Sequence, residues 1–395
     1  MAVRPRVLVV GAGHAGLAAV HAVLSRMPEA RVVLFEPSDV HLLKPRLHEA
    51  LVDDFPIELP LAPLLKSPRV EHVRAAVTAV DAPDATVVAR KKRWSGDFLI
   101  VAAGARTRMP NAERAKKKRD APATFRLDGM PDVIALRKHL EACVRQAAGK
   151  VSAAKRRSLL SVLVVGGGYT GVETSAEMAL LLRRLSLAAG ISPALVHVTI
   201  CETRERLFAG VPDDELAQRV HEGLSRKAVD VRTGEEVRFQ GGVPIVSGRA
   251  TNAATVLLAT GIEGVLDPKA PFVARAARWK VDESLRVPST AGIFAIGDGA
   301  VVPTADGPVA PSAQHAVQEG RHAAANIAAL VKGKALTPFR PSTLGEFLTL
   351  GDGDVVGWVQ IAGRRLHLSG VTAATARAAA FARYLAGLKL GARVR

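Results

Sequence analysis

Two glycine-rich segments, each set between an apolar run and a helical pattern, are the first places in this sequence where residue type and spacing point to chemistry. The first is Gly11-Ala12-Gly13-His14-Ala15-Gly16, preceded by the strand-like Arg6–Val10 and followed by a helical pattern to Met27. In such a loop Gly11 permits the tight turn, Gly13 lets the backbone approach a pyrophosphate, and Gly16 lets helix and strand pack closely. The free N–H groups of the first helical turn then face the phosphates. A second apolar strand, Arg31–Phe35, ends at Glu36, 20 residues beyond Gly16. A carboxylate there is placed to accept hydrogen bonds from adenosine ribose hydroxyls.

The pattern recurs 155 positions later: strand-like Leu160–Val165, then Gly166-Gly167-Gly168-Tyr169-Thr170-Gly171, then a helical stretch to Leu185. Another strand, Leu195–Ile200, leads to Cys201 and Glu202. One chain therefore carries two dinucleotide-binding units. Glu202 lies 31 residues past Gly171, a late position explained by a long helix and loop between them. Its carboxylate suits ribose hydroxyls and repels a 2′-phosphate, which favours NADH over NADPH, although Arg204 and Arg206 act against that preference. Each half also has a later strand ending in small residues: Phe98–Ala102 before Ala103-Gly104-Ala105, and Thr255–Leu258 before Ala259-Thr260-Gly261. Small residues there let a crossover strand approach the nucleotide, and an ordinary strand-to-loop glycine is the alternative.

The elements that position these loops need room. A chain of 395 residues suggests two or three domains, and 48% hydrophobic residues with 34 glycines fit an α/β protein rich in tight strand-to-helix turns. The two cysteines, Cys143 and Cys201, exclude a disulfide scaffold and a Cys-x-x-Cys relay, and read as free thiols of a reducing compartment. No apolar run is long enough for a transmembrane helix, and the apolar N-terminus leads straight into Gly11 as a strand, so a cytoplasmic protein is expected. The net charge of +17 favours anionic surfaces and phosphate-bearing cofactors. Its basic runs, Arg90–Arg93, Arg114–Arg119 and Lys155–Arg157, read as solvated loops, with lipid contact as the alternative; no nucleic-acid motif accompanies them.

Further motifs carry a resemblance. Gly292-Ile293-Phe294-Ala295-Ile296-Gly297-Asp298 resembles the second FAD motif of the FAD- and NAD(P)-dependent pyridine nucleotide oxidoreductases. Four segments are similar to the type II NADH dehydrogenases within that group, which are single-subunit NADH:quinone oxidoreductases. They are Gly166–Glu173 with Glu177, Ala313-Gln314-His315-Ala316-Val317-Gln318, His41-Leu42-Leu43-Lys44-Pro45, and Gly345–Gly351. The cysteines argue against the neighbouring branches. His41–Glu49 stands where disulfide reductases keep a Cys pair, and nothing after Cys201 can serve as the late cysteine of sulfide:quinone reductases.

The resemblance implies FAD and NADH as cofactors, a quinone as acceptor, no proton pumping and no redox-active cysteines. Asp298 is expected at the ribityl and pyrophosphate part of FAD, with Lys44, Val77, His315, His14 and Ala15 among the FAD contacts and Tyr169 among those of NADH. Glu173 is expected to orient the nicotinamide; as a bare helix feature it would be a first-turn acid complementing the dipole. Ser312 reads as the N-cap of a helix Ala313–Lys332, whose positive end would face the reduced flavin. Gln314 and Gln318, one turn apart, are expected to bond quinone carbonyls, or else are surface glutamines. His315 is a candidate proton donor.

The C-terminal helix pattern places Val371, Ala374, Ala378, Phe381, Leu385 and Leu388 on one stripe, with Arg377, Arg383 and Lys389 elsewhere. It reads as a basic amphipathic helix for an anionic membrane surface, or as a face packed on the body or on a homodimer partner. The expected architecture is α/β with two Rossmann-like domains. Residues 1–111 and 288–333 form a discontinuous FAD domain, 112–287 an inserted NADH domain, and 334–395 a membrane- or dimer-facing portion. The location is then cytoplasmic, with peripheral attachment to the inner face of the cytoplasmic membrane as its extension. Two rival functions share the nucleotide sites: a soluble NAD(P)H-dependent flavin oxidoreductase with a non-quinone acceptor, and an NADH-responsive redox sensor.

Overall fold

In the computed structural model, residues 4–82, 84–109, 121–208, 211, 213–266, 274–305 and 307–392 are described. The chain begins with β1 (Arg6–Val10), α1 (His14–Arg26), β2 (Arg31–Phe35), β3 (Val70–Val73) and β4 (Phe98–Val101). These strands pair in parallel in the order β4-β1-β2-β3. A parallel strand is covered on both faces and so needs a continuous apolar run; Val7, Leu8 and Val9 are fully buried.

A second all-parallel sheet follows, built from β5 (Ala123–Phe125), β6 (Ser161–Val165), β7 (His197–Cys201), β8 (Val229–Arg232) and β9 (Thr255–Leu258). Its order is β5-β9-β6-β7-β8. The helices α2 (Met130–Ala148), α3 (Tyr169–Ala188) and α4 (Asp214–Arg226) belong to this half. Strand β7 starts at His197, because Pro193–Leu195 forms a 3-10 turn ahead of it. Strand β10 (Ile293–Ala295) then returns to pair with β4. The run β4-β1-β2-β3 of the first sheet is therefore wound in the same order as β9-β6-β7-β8 of the second, while the fifth strand comes last in the chain in the first sheet (β10) and first in the second (β5). In both, the glycine loop leaves the carboxyl end of the central strand, where open α/β sheets bind ligands.

Helix α5 (Ala313–Val331) is N-capped by Ser312, whose hydroxyl accepts from His315 N at 3.1 Å. It crosses α1 at backbone contact: a Cβ on Gly320 would stand 2.3 Å from the Ala15 carbonyl oxygen. The C-terminal portion is an antiparallel sheet of β11 (Gly345–Thr349), β12 (Val355–Ile361) and β13 (Arg364–Ser369), followed by α6 (Gly370–Gly391).

Helix α6 seats on only part of the stripe expected from its sequence: Phe381 packs on the core, but the N-terminal half of the stripe turns away. Leu388 is buried, but Val371 is 82% exposed and Ala378 is exposed. The seated side adds Ala373, Arg377 and Tyr384 to Phe381 and Leu388, because the surface beneath offers a carboxylate and two imidazoles. The basic run Arg90–Arg93 lies at an exposed turn between Thr86–Ala89 and Lys92–Ser95, and Lys155–Arg157 lies on a short helix, Ala153–Leu159. The run Arg114–Arg119 and the expected boundary at 111/112 lie outside the described residues. Among the described residues no helix is long and apolar enough to cross a membrane.

Candidate functional site

The two glycine loops are built alike. Gly11 (φ +97°) and Gly166 (φ +112°) take the left-handed turn; a Cβ on them would sit 2.4 Å from Ala102 O and 2.3 Å from Ala259 O, respectively. A Cβ on Gly16 or Gly171 would meet the carbonyl oxygen of Gly11 or Gly166 at 1.9 Å. Gly13 and Gly168 differ: each faces open space, and each is the N-cap of its helix without a side-chain cap. Open backbone and unsatisfied first-turn N–H groups, which in α1 begin with His14 and Ala15, are what a pyrophosphate needs.

The acids match as well. Glu36 accepts from Ala12 N (2.9 Å) and Ser38 N (3.0 Å). Glu202 accepts from Gly167 N (2.7 Å), Arg204 N (3.0 Å) and Thr203 Oγ1 (3.1 Å). Ala12 and Gly167 hold the same place in their loops, so the late sequence position of Glu202 reaches the same spot by a longer path. Gly104 (φ +73°), after Ala103, and Gly261 (φ +88°) close the crossover strands on open space. The residues therefore fit two dinucleotides.

Around the first loop, Lys44 Nζ donates to Ala105 O at 2.7 Å and lies 3.9 Å from Asp128. Asp298 sits in a 3-10 turn, Gly297–Gly299, where burial pushes its carboxyl up against the opposing charges of Lys44 and Arg278. Glu319 on α5 accepts from Gly297 N at 2.5 Å, and burial together with Asp298 pushes it up to about 7. Val77 starts the strand Val77–Asp81 at a bulge and packs on the core of the first half.

Beside the second loop, Glu173 is buried in the second turn of α3, past the reach of a first-turn dipole role. Its Oε1 accepts from Thr349 N at 3.1 Å, and its Oε2 stands 3.6 Å from His48 Nδ1. Burial pushes Glu173 up to about 8 despite Thr349 N and Arg377. Burial likewise raises Glu177 to about 7 and lowers His48 to about 4. Glu49 is the exception: against burial, hydrogen bonds and charge from Arg46 and Arg377 hold it at about 2. Tyr169 donates to Glu346 Oε2 at 2.8 Å and packs on Phe208.

Both candidate acceptor-site glutamines are engaged with one backbone segment. Gln314 donates to Gly345 O (3.2 Å) and accepts from Leu344 N (2.7 Å). Gln318 donates to Ser342 O (2.8 Å) and accepts from Ser342 N (3.0 Å). The ring of His315 is held between Ala310 O (2.9 Å) and Thr343 Oγ1 (3.1 Å).

Sequence reasoning placed the loops and their acids but missed Tyr384, Arg377, His48, Glu49 and Glu319. Tyr384 bonds His41, and Arg377 pairs with Glu49, across separations of 343 and 328 residues, so no local pattern signals them. Cys143 and Cys201 are buried with thiols pushed up by burial, Cys201 to about 11, so neither supplies a thiolate at neutral pH.

The model of a family described as pyridine nucleotide-disulphide oxidoreductase matches residues 5–320. Among known proteins, the type II NADH:quinone oxidoreductase of Staphylococcus aureus is 28% identical over 378 residues, covering 92% of both chains. Among solved structures, NDH2 from Plasmodium falciparum in complex with NADH is similar with a TM-score of 0.79 at 16% identity, covering 99% of this chain and 97% of that one. The sulfide:quinone oxidoreductase from Aquifex aeolicus is similar with a TM-score of 0.76 at 16% identity, covering 98% and 92%. At these identities the structural likenesses speak for the fold.

Proposed function

The chain belongs to the pyridine nucleotide-disulphide oxidoreductase family, and from that premise we propose that it transfers two electrons from NADH through FAD to a quinone. The observation that carries the reading is the pair of matched loops in one chain. Each has an open glycine at the helix N-cap, Gly13 or Gly168, and a glutamate bonded to the N–H of the residue before it, Glu36 to Ala12 and Glu202 to Gly167. The likeness to the Staphylococcus aureus enzyme across 92% of both chains supports quinone as the acceptor.

When bound, FAD supplies the two-electron relay. The first loop, with Gly11, Gly13, Gly16 and Glu36, would hold its adenosine and pyrophosphate, and Asp298, Lys44 and the N-terminus of α5 would hold the remainder. The second loop, with Gly166, Gly168, Gly171 and Glu202, holds NADH. Glu173, protonated at pH 7 by its burial, offers the nicotinamide a neutral hydrogen-bonding group rather than a charge. Gln314 and Gln318 fix residues 342–345 and through them shape the acceptor side. On this reading 1–111 and 288–333 are the FAD domain, 112–287 the NADH domain and 334–395 the C-terminal portion.

The C-terminal portion also exposes Ile361, Leu366, Val371 and Leu390, together with Arg364, Arg383 and Lys389. We assign this surface to an anionic membrane, where apolar side chains enter the interface and cations meet lipid headgroups. Flotation with anionic vesicles tests it; a concentration-dependent dimer without flotation would assign it to a second copy instead.

One observation favours a non-quinone acceptor: the glutamine amides already bond protein backbone. Stopped-flow separates the readings. FAD-loaded protein should bleach rapidly with NADH and regain its colour rapidly with a short-chain quinone. Recovery only with oxygen or a soluble carrier would remove the quinone.

A further inference from the structure

The carbonyl that follows the acid-bonded N–H in each glycine loop is held differently in the two halves. In the second loop, Gly167 O accepts from a backbone donor, Phe208 N, at 3.1 Å. In the first loop, Ala12 O accepts from His41 Nδ1 at 2.9 Å, and His41 Nε2 lies 2.8 Å from the Tyr384 hydroxyl. A carbonyl only accepts, so Nδ1 carries the proton, Nε2 is the acceptor, and Tyr384 donates. Burial of His41 keeps its ring neutral, which this chain requires. The Tyr384 ring also stacks on His14 at the first turn of α1, with centroids 4.9 Å apart and planes at 22°.

The Ala12–Gly13 peptide is planar and trans, so drawing its C=O toward His41 aims the Gly13 N–H the opposite way. Gly13 is the open glycine of the loop, where a phosphate comes closest. We infer that Tyr384, on the C-terminal helix, is a positioning residue for the first dinucleotide site, acting through His41 on the Ala12–Gly13 peptide, so that flavin retention depends on how α6 is seated. The inference rests on FAD occupying the first loop.

The test is FAD release from the loaded protein, followed by the rise of free-flavin fluorescence. Tyr384→Phe keeps the ring and removes the hydroxyl; release should quicken about fivefold, the worth of one ordinary hydrogen bond. His41→Leu should quicken it at least as much, and Tyr384→Phe should add nothing in that background, because both act through one chain. His41→Asn, whose amide can still donate to Ala12 O, should return release toward the wild-type rate. Binding of ADP-ribose to the second loop should be unchanged throughout, since Phe208 N holds that carbonyl. Unchanged release in Tyr384→Phe, multiplicative effects in the double variant, or an equal loss of ADP-ribose binding would each overturn the inference while leaving the FAD reading intact. Wild-type protein that binds no FAD would overturn both.

Discussion

His48 Nδ1 stands 3.6 Å from Glu173 Oε2, and at pH 7 the two groups face each other uncharged. Burial dominates both, lowering His48 to about 4 and raising Glu173 to about 8. An imidazolium–carboxylate pair at this distance would need both charges desolvated, which costs more than the pair returns when the site is dry. The charged partner is instead Glu49, which Arg46 and Arg377 keep ionised beside them.

That arrangement dictates a pH dependence. The folded pKa of Glu173 lies above its unfolded value, so its contribution to stability is whole below about pH 4.5 and is lost as pH rises to about 8. Glu173→Gln keeps the acceptor for Thr349 N and cannot ionise. Its melting temperature should match wild type near pH 4.5 and exceed it at pH 8.5, by an increment worth more than about 1 kcal/mol. Parallel curves across that range would mean the carboxyl is not protonated in the fold.

The glycines separate fold from ligand. Gly16→Ala would drive a Cβ into Gly11 O at 1.9 Å and should lower the stability of the FAD-free protein by about 2 kcal/mol or more. Gly13→Ala meets nothing within 4 Å and has an ordinary φ of −71°. It should melt within about 0.5 kcal/mol of wild type yet bind FAD at least about tenfold more weakly, as isothermal titration would report.

Coenzyme choice should follow Glu202. Its carboxylate is fixed by Gly167 N and Arg204 N, and Arg204 and Arg206 stand close in sequence. Glu202→Ala removes the ribose acceptor and the charge that repels a 2′-phosphate. The ratio of kcat/KM for NADH over NADPH should fall by about tenfold or more.

The Gln318 amide clamps Ser342 through both its donor and its acceptor. Gln318→Ala should make the chain more susceptible to limited proteolysis around residues 340–344 and slow the quinone-driven half-reaction. Reduction by NADH should proceed at the wild-type rate. An equal slowing of both half-reactions would show that the glutamine serves the nicotinamide side.

The sequence alone determined the two loops, their acids and the parallel strands behind them. Each of these is written in a short stretch of chain: glycines two and three residues apart, continuous apolar runs, and an acid at the end of the next strand. Backbone geometry enforces such patterns locally, so they are legible without a fold. The tertiary structure decided what sits against the loops. Tyr384 meets His41 across 343 residues, Arg377 meets Glu49 across 328, and His48 meets Thr349 across 301. The apolar stripe of α6 foretold the seating of Phe381 and Leu388, but not that Arg377 and Tyr384 would turn inward beside them onto an anionic carboxylate and two neutral imidazoles. The neutrality of Glu173 and His48 is likewise a property of burial, and burial exists only once the chain has closed around them.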